Sequence, residues 1–221
     1  MTVTFLTYMK LETQLIYFED WVLRVRPPAG QGKRILLMLH GWQGDENAMW
    51  IFAHRLPADV WIVTPRAPHA APQGGYSWRA PAPDHATVDS LRPSAAALLD
   101  LLDTWPRASG PDGSSVDVVG FSQGAAMAFT LALLHPARVR KMAVLAGFAP
   151  EGAEQMLAPD RFNGKKFFVA HGAKDETIPI AEARRTVQLM EQAGAQVIFC
   201  ESSAAHKLSV DCLKALGVYL S

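Results

Sequence analysis

The sequence predicts an α/β protein: a mostly parallel sheet with helices on both faces. Three observations carry this. Short apolar runs alternate with longer amphipathic stretches along the 221 residues. One run, Ile35 to Leu39, is apolar without alternation, as in a strand buried on both faces. The repeated strand–helix order then calls for right-handed crossovers, which gather the loops at the carboxyl ends of the strands.

Taken in order, Leu15 to Arg26 is rich in aromatic and branched residues and reads as a strand or a hairpin. Ile35 to Leu39 follows, then a helix over Glu46 to Arg55 and a strand over Val60 to Thr64. Pro65 to Pro83, with Gly74-Gly75 inside it, has the composition of a long loop. Thr87 to Trp105 carries a helical apolar face through Leu91, Leu98 and Leu102, and Pro106 to Ser115 reads as a polar turn. A strand over Val116 to Val119, a helix over Gln123 to Leu134 and a strand over Met142 to Ala146 come next. Ala149 to Asn163 is irregular or short-helical. Strands over Phe167 to Ala170 and Val197 to Cys200 then alternate with helices over Ile180 to Ala193 and Leu208 to Leu220. No repeat or linker divides the chain, so residues 1–221 are expected to form one domain.

Half the residues are apolar (49%), and 21 basic side chains balance 21 acidic ones. The first figure supplies a core; the second argues against a nucleic-acid binder, which carries a basic surplus. Cys200 and Cys212 have neither zinc spacing nor a disulfide framework and are expected as two reduced, partly buried thiols. No metal site is expected. No apolar run reaches the roughly 18 residues of a membrane span. Met1 to Gln14 lacks the pattern of a secretory signal, so a cytoplasmic protein is the expectation.

Gly120-Phe121-Ser122-Gln123-Gly124 matches G-x-S-x-G. A bare motif of this kind is weak. Here an apolar strand runs directly in and a helical stretch runs directly out, the context in which a tight turn lifts a serine above a sheet. Ser122 is therefore the candidate nucleophile. A serine hydroxyl needs a base, and the base needs an orienting acid.

Strand-to-helix hydrolases place these groups in the chain order serine, acid, histidine. Asp175 lies just past the strand Phe167 to Ala170 and is the candidate acid, with Glu176 as a neighbouring competitor. Asp175 or Thr177 could instead cap the helix from Ile180. His206 follows the last strand and precedes the closing helix, the slot for the base. His54 and His135 fall at helix positions, and His69 and His85 in or beside the Pro-rich loop. His40 and His171 end strands before a glycine and are expected to organise their loops by hydrogen bonding.

Acyl transfer also needs backbone N–H groups aimed at the developing oxyanion. Gln123, next after the nucleophile and at a helix start, offers one. The loop His40-Gly41-Trp42-Gln43-Gly44-Asp45 offers the other at Trp42. Trp42, Tyr76, Trp78 and Met127 are candidates for an apolar substrate wall, although such residues serve more often as packing.

With these loops assembled, the chain resembles the phospholipase/carboxylesterase family of α/β hydrolases. The residues that carry the likeness are Leu39-His40-Gly41 with Gly44-Asp45-Glu46, Gly74-Gly75-Tyr76-Ser77-Trp78, Gly120 to Ala128, His171-Gly172 with Asp175, and His206. The resemblance covers Ile35 to the carboxyl end. It implies an α/β-hydrolase fold without a large cap domain and a triad of Ser122, Asp175 and His206. It also implies oxyanion donors at Trp42 and Gln123, and no cofactor. Gln43 stands where many relatives have Gly, and Lys207 where an acidic residue is common. The expected activity is a serine esterase on a small-molecule carboxylic ester or thioester. An amidase or peptidase with the same triad, or a binding protein that kept the fold, is the alternative. The sequence leaves the acyl length, the leaving group and the oligomeric state open, a homodimer included.

Overall fold

A computed structural model describes residues 12–82 and 85–221. The reading of the amino terminus falls mostly on residues 1–11, and the Pro-rich loop ends at Pro83; these positions lie outside the described residues.

The strands are β1 (Gln14–Phe18), β2 (Trp21–Arg26), β3 (Arg34–Leu39), β4 (Trp61–Pro65), the short pair β5 (His69–Ala70) and β6 (Tyr76–Ser77), then β7 (Asp112–Phe121), β8 (Val139–Leu145), β9 (Lys166–Gly172) and β10 (Gln196–Ser202). The helices are α1 (Val88–Ser109), α2 (Gln123–Leu134), α3 (Ala153–Met156), α4 (Ile180–Gln192) and α5 (Val210–Leu220). Eight strands form one sheet in the order β1-β2-β4-β3-β7-β8-β9-β10. Pairing is antiparallel for β1/β2 and β2/β4 and parallel from β4 to β10. The expected mostly parallel sheet is observed, and the first expected strand is a hairpin.

Strand order reverses beside β3: the chain goes from β3 to β4 on one side and reaches β7 on the other. Loops leaving the carboxyl ends of β3 and β7 therefore diverge and open a crevice between them. This switch point brings Gly41 against Ser122. A Cβ added at Gly41 would lie 3.3 Å from the Ser122 Cβ.

β3 shows how the core divides. Ile35, Leu37 and Leu39 pack on the face covered by α1, α2 and α4, while Leu36 and Met38 pack on the face of α5 and a 3-10 helix, Ala48–Arg55. Helix α2 is buried from Gln123 to Leu133 because sheet and α1 enclose it, which accounts for its run of Gly and Ala.

Several expectations shift. The segment Glu46 to Arg55 is 3-10 and starts later, because Asp45 Oδ1 accepts the Asn47 N–H at 2.8 Å in a turn of its own. The polar turn over Pro106 to Ser115 is much shorter. Helix α1 runs to Ser109, Gly110 ends it at φ 98, and β7 starts at Asp112. The expected loop Pro65 to Pro83 contains the β5/β6 pair. The two reduced thiols are a correction: Cys200 and Cys212 form a disulfide, with Cα atoms 5.7 Å apart. Helix α5 folds back onto β10, so a separation of 12 residues becomes a contact that linear spacing does not display. Among the described residues no helix is long and apolar enough to cross a membrane.

Candidate active site

Ser122 sits where β7 turns directly into α2, with φ 54 and ψ −119. A non-glycine residue in that region is strained, and the surroundings hold it there. Its N–H donates to the Leu145 carbonyl at 2.9 Å. A Cβ at Gly120 would meet the Gly124 carbonyl oxygen at 2.1 Å, and one at Gly124 the Leu39 oxygen at 2.1 Å. The two glycines of the motif are thus required by close backbone approach.

Asp175 leaves the end of β9 with its side chain fully buried. Its Oδ1 accepts the N–H groups of Thr177 and Ile178, each at 2.9 Å. Its Oδ2 accepts from Nδ1 of His206 at 2.7 Å. Asp175 does not cap α4, whose first residue follows Pro179 without a side-chain cap; its Oδ1 holds the turn before that helix instead, and Oδ2 makes the histidine contact. Burial pushes this carboxyl up, but the bonds from Ile178, His206 and Thr177 outweigh it and hold the carboxyl below its ordinary range. Glu176 is exposed and takes no part.

An ionised carboxylate only accepts, so Nδ1 of His206 carries the proton in this pair and a neutral ring leaves Nε2 free as a base. His206 packs on Phe121, the residue before Ser122, with ring centroids 5.0 Å apart. Among the described residues no hydrogen bond joins the Ser122 hydroxyl to His206; catalytic contacts of this type commonly tighten when substrate binds.

The loop after β3 is built from several directions. His40 accepts the Ala67 N–H at Nε2 (3.0 Å), so its Nδ1 donates to the Gly41 carbonyl (2.7 Å). Burial lowers the His40 pKa, in keeping with a neutral ring. Trp78 Nε1 donates to the His40 carbonyl at 2.8 Å. Gln43, at φ 65, donates its N–H to the Tyr76 carbonyl, and Tyr76 donates to Gly44, both at 3.0 Å. Neither the Trp42 nor the Gln123 N–H meets an acceptor among the described residues. Both N–H groups are therefore available as donors.

The substrate-wall candidates separate. Trp42 is 51% exposed and divides two cavities. One, of about 250 Å³, is apolar and lined by Ala48, Met49, Ile51, Phe52 and Phe121. The other, of about 510 Å³, is lined by Pro72, Ser77, Arg79, Pro81 and Gln123. Trp78 and Met127 are corrections: both are completely buried, Trp78 as a brace for the loop after β3 and Met127 inside α2. Tyr76 lines neither cavity. Its ring lies 4.6 Å from the Arg66 guanidinium and its hydroxyl accepts from Arg66 Nη1 at 3.1 Å.

Sequence reasoning missed two supports, the Gln123 side chain and the Glu46–Arg66 pair. The Gln123 side chain, buried under its own N–H, accepts from Trp78 N–H at 3.0 Å and donates to Ser77 Oγ at 3.1 Å. Glu46 forms a paired contact with Arg66 (2.8 and 3.0 Å), and its carbonyl accepts from Thr64 at 2.6 Å. Burial raises the Glu46 carboxyl, yet the Arg66 bonds win and hold it below its ordinary range. His171 organises its loop as expected: it donates through Nε2 to the Ile178 carbonyl at 2.8 Å and lies 3.4 Å from Asp175 Oδ2. A buried polar residue beside a motif residue is the signal that could have found these supports.

Comparison with known proteins gives the family and the fold. The model of the Phospholipase/Carboxylesterase family matches residues 22–221. Acyl-protein thioesterase 1 of Kluyveromyces lactis is 27% identical over 180 residues, covering 72% of this chain and 76% of that one. The crystal structure of a Mesorhizobium loti carboxylesterase superposes with a TM-score of 0.80 at 22% identity, over 94% of this chain and 98% of its own. That of the Bacillus cereus carboxylesterase also gives 0.80, at 19% identity over 90% and 93%. These two show the fold, and the family match extends over most of the sequence. The chain belongs to the phospholipase/carboxylesterase family of α/β hydrolases.

Proposed function

We propose that the protein is a serine esterase or thioesterase that works through an acyl-enzyme on Ser122. The observation that carries this reading is the 2.7 Å His206–Asp175 pair beside a strained Ser122 that two unclaimed N–H groups flank. In this mechanism His206 Nε2 takes the Ser122 proton as Oγ attacks the acyl carbon. The carbonyl oxygen becomes an oxyanion between the Trp42 and Gln123 N–H groups. Collapse expels the alcohol or thiol, which receives the proton from His206. A water activated by the same ring then releases the acid, and the buried carboxylate of Asp175 stabilises the imidazolium at both stages. The apolar cavity between Trp42 and Phe121 suits the acyl chain, and the wider one toward Arg79 suits the leaving group.

Ser122→Ala removes the nucleophile while leaving the backbone of the turn intact. Hydrolysis of p-nitrophenyl acetate is expected to fall by about 10³-fold or more. Parental turnover in that variant would end the proposal. Acyl chain preference is read from a series of esters, each paired with the matching thioester.

A further inference from the structure

His206 lies in residues 203–209, the connection between β10 and α5. Two anchors fix this connection. On the upstream side the Lys174 N–H donates to the Ala204 carbonyl at 3.0 Å, and the Ala173 N–H to Ser202 at 2.7 Å. Gly172 lets this approach happen, since a Cβ there would meet the Ala204 and Ala205 oxygens at 2.2 and 2.3 Å. On the downstream side Ser209 caps the first turn of α5 through the Cys212 N–H at 3.2 Å. In that turn Val210 is 65% exposed and Asp211 points to solvent, while the half-buried Leu213 packs on the core. Its covalent tie to the sheet is Cys212, buried and bonded to Cys200 on β10. The disulfide therefore closes a loop that contains His206 and fixes the end of it that the Asp175 side does not reach.

We infer that Cys200 and Cys212 are positioning residues for His206, their disulfide holding its ring in register with Asp175, and that breaking it slows turnover without unfolding the protein. This rests on the esterase reading for its kinetic consequence only. β10 is the outermost strand of the sheet and Cys200 is half-buried, so a small dithiol can reach the bond. The exchange is balanced. One dithiol gives two electrons and two protons to the Cys200 and Cys212 sulfurs and leaves as its own cyclic disulfide.

The test treats the whole protein with dithiothreitol and follows four readouts: thiol titration, near-UV circular dichroism, ester kinetics, and the low-field proton resonance of the His206 Nδ1–H, assigned with His206→Gln. The inference expects no free thiol before treatment and two after it, with the near-UV spectrum retained. It expects kcat to drop roughly ten- to hundredfold with KM within about twofold, since small misplacement of a base is costly. The resonance broadens or disappears, and oxidation restores it. A Cys200→Ala/Cys212→Ala double variant shows the reduced behaviour and ignores the dithiol.

Two thiols before treatment overturn the inference. So do two released thiols with kcat and resonance unchanged, a resonance absent from the oxidised protein, or collapse of the near-UV spectrum, which would make the bond a support of the whole fold. If the oxidised protein hydrolyses no ester but the resonance still responds to the dithiol, the esterase reading falls and the positioning role stands.

Discussion

Asp175 uses both carboxylate oxygens, one on the turn that leads to α4 and one on His206. Replacing it with Asn keeps the shape and the turn contacts but offers the histidine the wrong partner. Asp175→Asn is expected to lower kcat by about 10⁴-fold with little change in KM, from steady-state kinetics on a short ester. Gln123 separates backbone from side chain in the same way. Gln123→Leu retains the N–H that faces the crevice and strips the Trp78 N–H of its buried acceptor. A loss of about 1–3 kcal/mol in urea unfolding is expected. Ser122, Asp175 and His206, the proposed triad, were legible in sequence because each follows a strand end, in an order the fold imposes. The Gln123 side chain was not, since its partners Ser77 and Trp78 are 46 and 45 residues away. Trp78 and Met127 were misread for a related reason: an aromatic or Met near a motif can line a pocket or brace a loop, and burial decides.

At the scale of elements, the crevice depends on two loops that interlock. The loop after β3 and the β5/β6 pair exchange hydrogen bonds through Gln43, Gly44 and Tyr76. Gly75 sits at φ 70 where a Cβ would lie 2.0 Å from the Gln43 carbonyl oxygen. Gly75→Ala must push the Trp42-Gln43 backbone away. It is expected to lower kcat by up to about 10²-fold, the scale of losing one oxyanion donor, although Gly75 touches no triad residue. Kinetics of the variant alongside its circular dichroism check this. Met127→Ala should behave oppositely, with stability lower by about 2–5 kcal/mol in urea and KM unchanged, as befits a core residue of α2. Apolar periodicity located nearly every strand and helix. It failed where local polar contacts govern the backbone, as at Asp45 and Asn47, and it gave no view of the β5/β6 pairing inside a Pro-rich stretch.

For the whole molecule, the buried titratable groups set the response to acid. His40 has a pKa below its ordinary 6.5 because burial disfavours its charged form. The unfolded chain takes up that proton first, so the contribution of His40 is complete above that value and is lost as pH falls toward the folded one. Asp175 and Glu46 sit below their ordinary values of 3.8 and 4.5, so their contributions persist to lower pH and vanish only as pH falls through the folded values. Asp117, which burial raises, acts in the opposite sense. The contributions of His40, Asp175 and Glu46 to urea midpoints should therefore decline in two stages as pH falls, the first setting in below about 6.5 and the second below about 4.5. His40→Gln should flatten the first stage and leave the second. The sheet itself was readable from the alternation of elements. The disulfide was not, because only the return of α5 onto β10 brings residues 200 and 212 together.

The central claim is that Ser122 carries the acyl group. The most direct measurement is intact-protein mass spectrometry after rapid acid quench with a p-nitrophenyl ester, followed by peptide mapping. The account predicts one added acyl group on the peptide containing Ser122, absent in Ser122→Ala and long-lived when deacylation is slowed. Turnover of the ester with no acylated species, or with the acyl group on another residue, would contradict it.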